Sequence, residues 1–128
     1  MKEYKVTIDK IGTISYYKPG TDIIHRGDGP AVARTNGTKM WYINGKRHRE
    51  NGPAVEWANG TKMWYINGEL HREDGPAIDW PDGIKYWYID GVELTEQEFN
   101  DLTKVVELSL EDIATKFNVN VNNLKIKK

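Results

Sequence analysis

One segment of this chain recurs three times at a fixed interval of 23 residues, and no other feature narrows its fold as much. From His25, His48 and His71 the sequence runs HRGDGPAVARTNGTKMWYINGKR, HRENGPAVEWANGTKMWYINGEL and HREDGPAIDWPDGIKYWYIDGVE. A period of this length is one supersecondary element stacked on its like. Repetition multiplies every feature, whereas catalysis needs one unique constellation. The array therefore points to a binding or structural surface.

Within the middle repeat, PAVEW and TKMWYI are β-prone runs joined by Ala58-Asn59-Gly60, and Asn67-Gly68 turns the chain again. Asn-Gly is a strong hairpin signal because a type I′ turn needs positive φ at both central residues. Pro30, Pro53 and Pro76 open strands, where a missing N–H is tolerated. The expected product is an antiparallel meander with three short strands per repeat. If both turns are two-residue loops, Trp57 faces Lys62, Val55 faces Trp64, Glu56 faces Met63, His71 faces Trp64 and Arg72 faces Met63. One sheet face then carries Val55, Trp57, Trp64, Ile66 and His71 and is the expected core. Ala54, Met63, Tyr65 and Arg72 fall on the other.

The flanks differ. In residues 1–24, Gly12, Thr13, Tyr16, Tyr17 and Gly20 keep the mutual spacing of Gly60, Thr61, Trp64, Tyr65 and Gly68, which marks a degenerate capping half-repeat after an N-terminal strand around Tyr4, Val6 and Ile8. The three repeats occupy 25–94. From 95 onward the pattern is helical: Thr95 with Glu98 forms a capping box, flanked by Leu94 and Phe99, and Ser109 with Asp112 repeats the signal before LKIKK. Residues 95–128 read as a small helical cap on the sheet. The fold class is mainly β, an antiparallel hairpin repeat array with a C-terminal helical segment.

A net charge of -1 provides no global basic field, so nonspecific duplex DNA and anionic membrane binding are disfavoured. With no cysteine there are no disulfides, thiolate metal sites or thiol nucleophiles. No signal core or run of roughly 18 apolar residues is present, so a cytoplasmic protein is expected. His25, His48 and His71 recur strands apart, too far for one shared zinc. They read instead as structural, stacked on Trp41 or Trp64 with a ring nitrogen bonded to a carboxylate or backbone group. The two serines, Ser15 and Ser109, stand in no nucleophile motif, and no phosphate loop or dinucleotide fingerprint occurs. An enzyme is not expected, nor a cofactor.

Trp41, Trp64 and Trp87, at mid-strand in each repeat, read as structural; Trp57 and Trp80, beside the turn, read as exposed. Arg26, Arg49 and Arg72 each precede Asp28, Asn51 or Asp74 by two residues. That spacing allows an in-repeat bond that fixes the corner. It also allows a guanidinium ladder beside Tyr42, Tyr65 and Tyr88 that grips a partner. These arginines and tyrosines, with Trp57 and Trp80, are the candidate partner-binding residues.

The period, the twice-used Asn/Asp-Gly turn and the aromatic just before it resemble MORN repeats, in particular variant MORN-like arrays of bacteria and phages. The resemblance implies a protein-interaction scaffold without catalytic residues, and a small phage or mobile-element inhibitor of a host factor is in keeping with it. A protein is thus the expected partner. Single-stranded nucleic acid or a nucleotide, stacked on the Arg and aromatic ladder, is the alternative, and self-association through sheet edges is open.

Overall fold

A computed structural model describes residues 3–104. In chain order its strands are β1 (Lys5–Ile8), β2 (Ile14–Tyr17), β3 (Val32–Ala33), β4 (Lys39–Met40), β5 (Tyr42–Ile43), β6 (Lys46–Arg47), β7 (Val55–Glu56), β8 (Lys62–Met63), β9 (Tyr65–Ile66), β10 (Glu69–Leu70), β11 (Ile78–Asp79), β12 (Lys85–Ile89) and β13 (Val92–Leu94). The architecture is mainly β. Nine strands form one sheet in the order β1-β2-β3-β4-β7-β8-β11-β12-β13, while β5-β6 and β9-β10 are two-stranded ribbons. The chain divides into two compact units, Met1–Glu93 and Leu94–Lys128.

The first two repeats each hold four short strands rather than the expected three. The strand that should run unbroken through Lys39–Ile43 changes partner at Trp41, whose N–H donates to Ala54 while its carbonyl accepts from His48. Between those two partners the chain makes an excursion over residues 49–53, and 26–30 and 72–76 do the same. Neighbouring ribbons are tied by the Gly68 N–H to the Arg47 carbonyl and the Arg49 N–H to the Tyr65 carbonyl.

The two Asn-Gly steps adopt different turns. At the second, Asn67 and Gly68 have φ of 50° and 84°, the expected type I′ pair, and His71 duly bonds opposite Trp64. The first step is a three-residue loop, in which the Gly60 N–H bonds the Trp57 carbonyl, the Trp57 N–H bonds the Thr61 carbonyl, and only Gly60 has positive φ, at 94°. Asn59 uses its side chain instead, its Oδ1 accepting from the Thr61 N–H. The extra loop residue slips the register by one, which moves every side chain to the opposite face. Val55 therefore faces Met63 and Glu56 faces Lys62, not Trp64 and Met63. Trp57 faces Thr61 rather than Lys62, and Arg72 bonds the Tyr88 carbonyl rather than pairing with Met63.

The core accordingly joins Val55 and Trp57 of the expected face to Met63 and Tyr65, which were expected on the other. Val32, Met40 and Val55 are buried at its centre, with Ile24, Tyr42, Trp57, Met63 and Tyr65 packed around them. The row behind, on the other face, alternates in charge across the sheet: Lys39, Glu56, Lys62, Asp79 and Lys85 are successive cross-strand partners.

Two threonines register how one repeat meets the next. Thr38 and Thr61 are buried at 1% and 2% exposure. The Thr38 hydroxyl accepts from the Ala58 N–H of the following repeat. The equivalent donor for Thr61 would be residue 81, but Pro81 has no N–H, and the Thr61 hydroxyl is left without a partner. In the third repeat the position is Ile84.

In the second unit residues 96–104 are helical. The capping box forms: the Glu98 N–H donates to the Thr95 hydroxyl and the Thr95 N–H to the Glu98 carboxylate. Phe99 is buried. The remainder of the expected cap, with the Ser109 and Asp112 helix start and LKIKK, lies outside the described residues.

Two outcomes follow from the turns and threonines. Gly68→Val should lower stability by about 1 to 3 kcal/mol, since a β-branched residue is forced into the left-handed region. Thr38→Val should cost about 1 kcal/mol by depriving the Ala58 N–H of its acceptor, whereas Thr61→Val should be neutral or stabilising, since no bond is lost. Urea unfolding measures all three, and equal losses at the two threonines would refute the proline explanation.

Candidate functional site

The excursions are built around their arginines. The Arg26 Nε–H donates to Asp28 at 2.9 Å and its Nη1 to the Pro30 carbonyl at 3.2 Å, which bridges both ends of the loop. Arg72 repeats this with Asp74 at 2.8 Å and Pro76 at 3.1 Å. In the middle repeat Asn51 replaces the acid, and Arg49 holds the Pro53 carbonyl at 3.1 Å and takes its carboxylate from Glu56 at 2.9 Å. The in-repeat bond read from the spacing is thus present at Arg26 and Arg72, with a substitute acid at Arg49.

The same guanidinium groups stack on aromatic rings of the preceding segment. Arg26 lies 4.0 Å over Tyr16, Arg49 3.8 Å over Trp41 and Arg72 3.8 Å over Trp64. The cation over Trp41 and Trp64 is therefore arginine, where histidine was expected, and the arginines reach these rings rather than Tyr42, Tyr65 and Tyr88. Tyr16 takes the tryptophan's place at the start of the array. Trp87 is half-buried, and the next arginine position after it is Thr95, where the helix signal begins.

Each histidine fastens the second turn of its own repeat. The Nδ1 of His25, His48 and His71 accepts from the backbone N–H of Asn44, Asn67 and Asp90 at 2.9, 3.0 and 2.9 Å. At His71 the same Nδ1 also lies 3.2 Å from the Asp90 carboxylate. In His71 the Nε2 is buried and approaches the Glu73 carboxylate at 3.4 Å without hydrogen-bond geometry. Among the described residues no three His, Asp or Glu side chains are grouped to hold a metal.

The tyrosines form a separate cluster. Arg47 donates to the hydroxyls of both Tyr42 and Tyr65 at 3.3 Å, and Tyr88 donates to Glu93 at 3.3 Å. Burial, reinforced by the Glu93 charge, raises the Tyr88 phenol above its ordinary range.

Among the described residues, two surfaces bear on the expected partner binding. The first is an open cleft of about 590 Å3 between the first two excursions, lined by Arg26, Asp28, Trp41, His48, Arg49 and Glu50 among others. Its cations are already bonded to carboxylates and carbonyls. The second is apolar. Trp80, on the core face, is 43% exposed, and its cross-strand partner Ile84 is 50% exposed, next to Tyr86 at 38%. Trp57 is half-buried instead, packed on the core with its indole N–H directed to the Met63 sulfur at 3.2 Å. Ile84 and Tyr86 were not singled out from sequence. The available signal was the break in the repeat, since they stand where earlier repeats have Thr38 and Thr61, and Met40 and Met63.

Two outcomes test the corner geometry. The glycine of each excursion faces its arginine so closely that a Cβ on Gly75 would lie 2.8 Å from the Arg72 Cζ, against 3.1 Å at Gly29 and 3.2 Å at Gly52. Gly75→Ala should therefore cost about 1 to 3 kcal/mol by pushing the guanidinium off Trp64, and more than the same change at Gly29 or Gly52. Thermal melting ranks the three. The hydrogen bond from Arg26 holds the Asp28 carboxyl below the ordinary carboxylate range. Its contribution is present above the unfolded-state pKa and is lost as pH falls through the depressed folded value. Carboxyl-carbon NMR should show Asp28 titrating lower in wild type than in Arg26→Ala.

No family model, curated protein or solved structure matches this chain, and its function is argued from its own geometry.

Proposed function

We propose that this chain is a non-enzymatic, MORN-like repeat protein that binds another protein through the apolar end of its array, centred on Trp80 with Ile84 and Tyr86. The observation that carries this is the local reversal of the repeat pattern. The first two repeats bury a small polar threonine here and pack a methionine against the core, fully buried at Met40 and partly at Met63, whereas the third puts two large apolar groups there and leaves them exposed beside an exposed tryptophan. Contiguous exposed apolar side chains, rich in aromatics, are the hallmark of an interface core.

The arginine ladder plays a supporting part in this reading. Its guanidinium groups rigidify the corners that hold the sheet in shape. Binding of single-stranded nucleic acid is the weaker reading, because the basic groups are neutralised locally and the outer sheet face alternates lysine with acid. No helix among the described residues is long and apolar enough to cross a membrane.

The test gives positions 84 and 86 the residues of the other two repeats and truncates the exposed tryptophan. Ile84→Thr combined with Tyr86→Met and Trp80→Ala should melt near the wild-type temperature yet lose a stoichiometric protein captured from the source cell, since each buried aromatic anchor contributes about 2 kcal/mol or more. Undiminished capture by the triple variant, or salt-sensitive binding of single-stranded oligonucleotides in its place, would overturn the proposal.

A further inference from the structure

We propose that two copies of this chain pair edge to edge through β1, in an antiparallel register centred on Thr7. This surface lies at the opposite end of the sheet order from β12 and is independent of the apolar patch described above. Among the described residues β1 pairs with β2 alone, and all four of its residues are exposed. Val6 and Ile8 are 48% and 69% exposed.

The backbone states which residues are open to a partner. Val6 lies opposite Tyr16, whose N–H donates to Ala31 and whose carbonyl accepts from His25, both on the side away from β1. That pair is therefore the non-hydrogen-bonded kind, and by alternation so is Ile8 with Ile14. Val6 and Ile8 thus direct their N–H and carbonyl groups outward, whereas Lys5 and Thr7 direct theirs at β2. A two-fold pairing can use only registers that set outward residues against outward residues.

Three such registers are available, and side chains choose among them. Val6 on its own copy sets Glu3 opposite Asp9, two like charges. Ile8 on its own copy sets Thr7 opposite Asp9 and forgoes the pairing of that acid with Lys5. Val6 opposite Ile8 of the second copy avoids both conflicts. It stacks the two valines and two isoleucines on one face, and on the other places Thr7 against Thr7 on the two-fold axis, flanked by two Lys5 and Asp9 ion pairs. Lys5 already donates to Asp22, but an ammonium has three donors. Asp9 uses Oδ1 for the N–H groups of Ile11 and Thr13, which leaves its other oxygen for the partner. Such an isologous edge contact closes on itself and stops at two copies.

The absence of cysteine permits a register-specific test on the full chain. Facing residues of a non-hydrogen-bonded pair lie about 4.5 Å apart at Cα, within disulfide reach. Under mild oxidation Thr7→Cys should form a covalent dimer in high yield, whereas Lys5→Cys, displaced from its own copy, should remain monomeric. By sedimentation the wild-type mass should double as concentration rises. Val6→Pro, which removes an outward N–H without touching the β2 ladder, should remain monomeric with unchanged circular dichroism. A wild-type chain that stays monomeric at every concentration, or one that cross-links through Lys5→Cys as readily as through Thr7→Cys, would overturn the proposal. Loss of the dimer without loss of protein capture would separate this edge from the Trp80 surface.

Discussion

The array depends on a guanidinium group pressed between an aromatic ring and a bare glycine. A sheet strand that must detour through five residues leaves carbonyls without ladder partners and a loop with nothing to hold its ends. Arginine, at one end of the detour, meets both demands with one planar group, because its fork donates to an acid at the middle of the detour and to a proline carbonyl at the other end. Its flat face meanwhile covers the tryptophan of the preceding segment. Lysine could supply the charge and several donors but not the rigid planar fork or the flat face that lies on the ring. Each clamp is at once an internal brace and a joint to the neighbouring repeat, which is how short, two-residue strands persist.

The histidines are the second set of joints. A left-handed asparagine at a type I′ turn presents a backbone N–H outside the ladder, and a histidine nineteen residues earlier in the chain accepts it. Where the array ends, each device is withdrawn. The positions after the third His-Arg are Leu94 and Thr95, the buried threonine becomes Ile84, and the core methionine becomes Tyr86. The orphaned Thr61 hydroxyl, facing Pro81, belongs to the same transition. The last repeat has begun to abandon contacts toward a following repeat, and its apolar residues instead face solvent.

This division of labour bears on function. Groups that look like a ligand-gripping ladder in the sequence are bonded within the fold, while the exposed Ile84 and Tyr86 stand where the repeat pattern breaks. In a repeat protein the invariant positions solve the problem shared by every unit, and an individual task must fall to positions that differ. Trp80, Ile84 and Tyr86 are of that kind, as are Val6 and Ile8 on an edge that precedes the first full repeat.

Much of this was legible in the residues. The period, the antiparallel hairpin class, the type I′ turn at Asn67-Gly68, the pairing of His71 with Trp64, the capping box at Thr95 and the equivalence of Tyr16 with the tryptophans all follow from local rules of spacing and backbone conformation. The buried face did not follow. Both Asn-Gly steps satisfy the same local preference, yet the first adopts the longer loop, in which the Asn59 side chain accepts from the Thr61 N–H, and this slips the register and turns Val55 toward Met63. The partner of each arginine was equally beyond reach of the one-dimensional pattern, because Trp41 and Trp64 come beside Arg49 and Arg72 only once the chain has left the ladder and returned. The sequence by itself determined the repeat and its turns, since those depend on neighbours along the chain. Which face is core, and which cation covers which ring, was decided by the tertiary structure, since a one-residue difference in loop length is energetically small locally and is settled by what the whole sheet can bury.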